Sequence, residues 1–90
     1  MKRRSRLEII YSILKIIRDS SNSIKKTPLN RKTNLSTTNF SEYYIELKQK
    51  ELVREEVDKK GKTYISLTDN GFKYLQKYET IKEFIKEFEL

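Results

Sequence analysis

Ninety residues with 36% hydrophobic and 37% charged side chains make one small domain with a thin core and much solvated surface. Cysteine and histidine are both absent, which excludes disulfides and thiolate metal sites and removes the commonest general base; no enzyme, metal or cofactor is expected. The net charge of +7 is one-sided: residues 1–36 hold ten Lys and Arg against two acids, residues 37–68 six of each, and residues 69–90 four Lys against five acids. A positive field so placed suits a polyanion, most often nucleic acid.

The chain opens on a basic arm, Met1-Lys2-Arg3-Arg4. A helix is predicted from about Ser5 to Ser20, with Ser5 as its N-cap. Two apolar stripes run along it, Leu7-Ile10-Leu14-Ile17 and Ile9-Ile13-Ile16, wider together than one core face needs. A partner subunit could cover the surplus. This amphipathic stretch is no signal-peptide core, and no apolar run approaches the ~20 residues of a membrane span. The chain therefore reads as cytoplasmic, with no membrane partner.

Ser20-Ser21-Asn22-Ser23 signals a turn. Thr27-Pro28 reads as a helix start, with Thr27 capping and Pro28 at the first helical position, and Asn34 as the left-handed residue that ends this short helix near 33. Ser36 caps a longer helix to about Lys50, whose Phe40, Tyr44 and Leu47 recur at helical spacing. Strands follow at Leu52–Val57 and Lys62–Leu67, joined by Asp58-Lys59-Lys60-Gly61 with Gly61 at positive φ. Thr68 caps a last helix expected to reach the C-terminus.

The order helix, helix, helix, strand, strand, helix, with a tight turn before the third, is that of a helix-turn-helix followed by a wing. The fold expected is mainly α with a small β-hairpin: a winged helix-turn-helix over residues 1–68, with 69–90 as a long coiled-coil helix continuous with it. The third helix would enter a major groove, which admits one helix. Thr37, Thr38, Asn39, Ser41, Glu42 and Ile45 would face outward, with no Arg or Lys before Lys48. Asn39 suits an adenine edge and the threonines suit thymine methyls, whereas the usual Arg–guanine contact is missing. Phosphate contacts are better supplied, by Lys2, Arg3, Arg4 and Arg6, by Lys25, Lys26, Arg31 and Lys32, and by Lys59, Lys60 and Lys62.

In the last helix Tyr74, Tyr78, Ile81, Ile85 and Phe88 are spaced 4, 3, 4, 3, a heptad seam with Phe84 on its flank. Gly71 and Phe72 before it are assigned to the domain core. From about Tyr78 the helix outruns a small domain, so a homodimer through this seam is expected. The alternative seam is Ile9, Ile13 and Ile16.

The stretch Ser5-Arg6-Leu7-Glu8-Ile9-Ile10-Tyr11-Ser12-Ile13-Leu14 resembles the opening of the archaeal ten-kilodalton "a" chromatin proteins of Sulfolobus. Leu35-Ser36, Tyr43, Leu47, Leu52-Val53 and Leu67-Thr68-Asp69-Asn70-Gly71 fit the same pattern. The resemblance implies a winged helix, a dimer through antiparallel last helices, and nucleoid-associated binding of duplex DNA with limited sequence preference. Two positions depart from it. Glu51 stands where members usually have Gly, which implies a strained turn or a reshaped helix end, and Ser41 and Glu42 stand where members tend to carry Lys.

The leading expectation is thus a homodimeric, architectural protein that binds double-stranded DNA. A sequence-specific transcription regulator on the same fold, using Thr37, Thr38, Asn39 and Ser41 as base readers, is the alternative. A protein–protein adaptor ranks below both, as does RNA binding, because the A-form major groove is too narrow for a helix. No small-molecule ligand is evident in the sequence.

Overall fold

A computed structural model describes residues 5–90. Its elements are α1 (Arg6–Asp19), α2 (Lys26–Thr33), α3 (Thr37–Gln49), β1 (Val53–Val57), β2 (Thr63–Leu67) and α4 (Asp69–Glu87). The order matches the expectation, and each strand is one residue shorter at its start.

Three helices begin on hydroxyl caps read from the sequence. Ser5 Oγ accepts from the Glu8 amide, Ser36 Oγ from Asn39 and Thr68 Oγ1 from Gly71, each at 3.1 Å. Each satisfies one of the amides that the first turn of a helix leaves without a helical partner. α2 departs from its expected start. It begins at Lys26 with Lys25 as an N-cap that makes no side-chain bond, since its ammonium has no acceptor, while the Leu29 amide bonds the Lys25 carbonyl at 3.1 Å. Thr27 is therefore inside the helix and is not its cap. Pro28 is third rather than first, still within the turn where a missing N–H costs nothing.

The core gathers around α1, whose Ile10, Tyr11, Ile13, Leu14 and Ile17 are buried. α2, β2 and α4 of the same chain pack around it. Ile9 and Ile16 are partly buried against that core, so the second stripe is covered internally and only Leu7, 57% exposed, is left out. Expecting a partner to cover α1 is thus corrected: three neighbours suffice.

β1 and β2 pair antiparallel, with Val53 opposite Leu67 and Val57 opposite Thr63. The turn between them holds Gly61 at φ +81, as expected. A feature not anticipated lies on the other edge of β2, where Ile24 and Ile65 exchange both backbone hydrogen bonds (3.1 and 2.8 Å). The segment before α2 thereby serves as a one-residue third strand, and α2 starts two residues later, at Lys26.

Gly71 sits where the first turn of α4 crosses the α3–β1 turn. A Cβ there would lie 2.3 Å from the Leu52 carbonyl oxygen and 3.3 Å from Leu67 side-chain atoms. That carbonyl also accepts from the Thr68 amide at 3.1 Å, and the Thr68 hydroxyl donates to the Glu51 carbonyl. Only glycine permits the approach. Glu51 itself has φ +56 and closes α3, with the Leu52 amide returning to the Leu47 carbonyl at 2.9 Å. The turn expected to be strained is a left-handed helix end occupied by a glutamate.

α4 stops at Glu87, short of the C-terminus; Glu89 is left-handed and the Leu90 amide bonds the Ile85 carbonyl at 2.9 Å. Its nineteen residues reach ~28 Å. Its distal half extends the molecule, whose extents are 50 × 29 × 22 Å. Among the described residues no helix is long and apolar enough to cross a membrane.

Candidate nucleic-acid interface

α2 and α3 are braced by a turn made largely from its own polar atoms. The Thr33 hydroxyl donates to the Asn30 carbonyl (2.7 Å) and accepts from the Leu35 amide (3.2 Å), while Asn34 takes φ +60. Asparagine tolerates that conformation better than most residues. Leu29 of α2 and Phe40, Tyr44 and Leu47 of α3 are buried, and the Phe40 and Tyr44 rings stack at 5.8 Å. With that face anchored, Thr37, Thr38, Asn39, Glu42 and Ile45 point to solvent and Ser41 is half-buried.

The flanks of α3 carry the positive charge. Lys25, Lys26, Arg31 and Lys32 on and before α2 are exposed. Lys26 Nζ lies 5.0 Å from the Tyr44 ring centre, and Lys25 Nζ 5.8 Å from that of Tyr64. On the other flank, Asp58 accepts from the Lys60 and Lys62 amides at 2.8 and 2.9 Å. The one acid of the hairpin tip is thus used to shape the turn, and Lys59, Lys60 and Lys62 remain exposed. Among the described residues none of these seven cations has a carboxylate partner.

Two expected contact residues are differently engaged. Arg6 pairs with Glu46 of α3, which also holds Lys50 at 2.9 Å. Lys48 bonds Glu55 of β1 at 3.3 Å. Lys2, Arg3 and Arg4 lie outside the described residues. Glu55 was not singled out in the sequence, although an acid between Val53 and Val57 interrupts the inward-facing alternation of β1. It receives a hydrogen bond from the Tyr44 hydroxyl. That bond and the nearby Lys48 and Lys26 hold the Glu55 carboxyl below its ordinary range. Burial and the same bond push the Tyr44 phenol up.

The seam read along α4 is divided. Tyr74 donates to the Leu7 carbonyl at 2.9 Å, and Tyr78 stacks on Tyr11 at 4.6 Å, while the Tyr11 hydroxyl donates to Glu79 at 3.0 Å. Burial raises the pKa of Tyr74 and Tyr78 above the usual phenol value. Both tyrosines therefore face α1 of their own chain. Leu75, outside the seam, is the fully buried residue of α4, and Phe72, expected in the core, is 41% exposed. Ile81, Phe84, Ile85 and Phe88 are 42–58% exposed and uncovered.

A buried-faced helix braced by a shorter one across a tight turn, then a hairpin with a lysine tip, defines a winged helix-turn-helix. The chain belongs to the winged helix-turn-helix family, whose model matches residues 3–86. Among solved structures it is similar to F93 from STIV, a winged-helix DNA-binding protein (23% identity, TM-score 0.71, 96% of this chain and 95% of that one). It is also similar to Sso10a-2, a DNA-binding protein from Sulfolobus solfataricus (20%, TM-score 0.69, 96% and 83%). MepR, a transcription regulator of the Staphylococcus aureus multidrug efflux pump MepA, superimposes with TM-score 0.78 at 16% identity over 89% of this chain. The chain spans 60% of MepR. At these identities the likeness speaks for the fold. No curated protein matches the chain in sequence.

Proposed function

We propose that the protein is a homodimeric, nucleoid-associated protein that binds double-stranded DNA with low sequence specificity and acts as an architectural component rather than an enzyme. The observation that carries this reading is the arrangement around α3. Seven cations that make no ion pair among the described residues, on α2 and its approach and at the wing tip, flank a helix whose own exposed face holds hydroxyls, an amide, an acid and an isoleucine. Phosphate contacts fix position and base contacts give sequence, and this surface is rich in the first kind and poor in the second. The names of F93 and Sso10a-2 support DNA as the partner, and the resemblance to the Sulfolobus chromatin proteins supports the architectural role.

Dimerisation is assigned to the distal half of α4. Four half-exposed apolar residues from each of two copies offer on the order of 6–12 kcal/mol on burial, before association costs of ~4 kcal/mol or more. The balance favours pairing that depends on concentration. Tyr74 and Tyr78, already packed on α1, contribute little new area.

A second reading keeps Thr37, Thr38, Asn39 and Ser41 as base readers of a sequence-specific regulator. It is favoured by the full exposure of the first three at the start of α3, where a recognition helix meets base edges. Competition separates the two readings. Protein bound to its best-selected site is challenged with random duplex. A preference below ~10³ supports the architectural role, and a larger one supports the regulator.

A further inference from the structure

We propose that Glu55 is a positioning residue of this interface: its carboxylate, gripped by Tyr44 and Lys48, sets the wing against α3 so that both meet one duplex together. The proposal rests on reading this face as a duplex-binding surface.

Glu55 is opposite Ile65 in the β1–β2 register, and Ile65 is buried in the core. Its side chain therefore leaves the hairpin on the same face as that of Val53, which is 4% exposed, although Glu55 itself lies further along the strand and stays exposed. Its side chain is 35% exposed, so the carboxylate is only partly withdrawn from water and is placed by its partners rather than by burial. It has two from α3, the Tyr44 hydroxyl and Lys48 Nζ at 3.3 Å. Tyr44 is in turn 4% exposed and stacked on Phe40, so it offers a rigid anchor. Lys26 of α2 and Lys48 both stand over its ring, at 5.0 and 5.8 Å. Four side chains thereby join α2, α3 and β1.

Position along the hairpin gives the link its leverage. Buried residues hold its base, namely Val53 on β1 and Ile65, Ser66 and Leu67 on β2. Toward the tip, Glu56, Val57 and Thr63 are exposed. Glu55 is the last inward contact of β1 before the lysines. β1 runs only two residues beyond it, ~7 Å of strand, before the turn that carries Lys59 and Lys60. A shift at Glu55 is therefore passed on to the lysines at the tip.

The two roles open to this carboxylate predict opposite signs. As a bare negative charge facing a polyanion it weakens binding, and Glu55→Gln tightens it. As a positioning group it supports binding, and Glu55→Gln weakens it. The test measures affinity for a random-sequence duplex by fluorescence anisotropy. It compares the full-length chain, Glu55→Gln and Tyr44→Phe, each with and without Lys59, Lys60 and Lys62 replaced by Ala, below the melting temperature of every variant.

We expect Glu55→Gln to bind about tenfold more weakly, with the wing substitutions costing less in its background than in the parent, as coupled groups do. Tyr44→Phe, which keeps the buried ring, should shift affinity in the same direction, and it carries the test if Glu55→Gln fails to fold. Equal or tighter binding, or an unchanged cost of the wing substitutions, overturns the positioning role while leaving duplex binding intact. A parent chain that ignores duplex at low salt overturns the functional reading and this inference with it.

Discussion

The two surfaces left uncovered by the fold differ in kind. Around α3 the exposed groups are polar apart from Ile45, and Lys25, Lys26, Arg31, Lys32, Lys59, Lys60 and Lys62 make no ion pair among the described residues. Along distal α4 the exposed groups are Ile81, Phe84, Ile85 and Phe88, with Lys82, Glu83, Lys86 and Glu87 interleaved. The first surface offers little area to bury and a strong field. The second offers apolar area and little net charge. α1 sharpens the contrast, because its surplus apolar stripe also called for cover and found it within the chain. An apolar face therefore predicts a neighbour without saying whose. What distinguishes distal α4 is that Ile81, Phe84, Ile85 and Phe88 are left 42–58% exposed, whereas Tyr74 and Tyr78 lie against α1.

Substitutions can separate the two surfaces. The largest effect is expected from Gly71→Ala, which breaks the frame that carries both. A methyl placed 2.3 Å from the Leu52 carbonyl oxygen must displace backbone. A loss of about 3 kcal/mol or more is expected, with both duplex binding and self-association failing on warming in a thermal melt. Next, Ile81→Asp with Ile85→Asp should halve the mass measured by light scattering. A roughly 10²-fold loss of duplex affinity should follow as paired attachment is lost, while the salt dependence of each subunit remains. Replacing Lys59, Lys60 and Lys62 with Ala should do the reverse, leaving the mass unchanged and lowering the log–log salt slope by about 2–3. The smallest effect is expected from Glu51→Gly, which touches neither surface. Relief of the left-handed glutamate should raise stability by about 0.5–1 kcal/mol, read as a higher melting temperature.

Much of the fold was legible because its signals are local. Ser5, Ser36 and Thr68 cap helices through bonds three residues away, Asn34 and Gly61 take positive φ where turns demand it, and Phe40, Tyr44 and Leu47 recur within one helix. What escaped was non-local. Ile24 pairs with Ile65 forty-one residues on, a bridge that no local signal announces. Arg6 reads as a free cation until the fold brings Glu46 beside it. Glu55 looks like one more charge until Tyr44 and Lys48 close on it. In α4, heptad spacing grouped Tyr74 and Tyr78 with the distal seam. Packing instead turned both toward α1 and buried Leu75, since 3.5- and 3.6-residue periods diverge along a helix. The candidate contact residues were legible as a charge pattern, and the fold added which of those charges already have partners.

The central claim is that the partnerless cations beside α3 meet a duplex backbone, and the salt dependence of binding to random-sequence duplex tests it most directly. Each neutralised phosphate adds ~0.9 to the log–log slope, so a slope of about −4 or steeper is expected for the intact chain. A slope near zero, or no binding in dilute buffer, would contradict it.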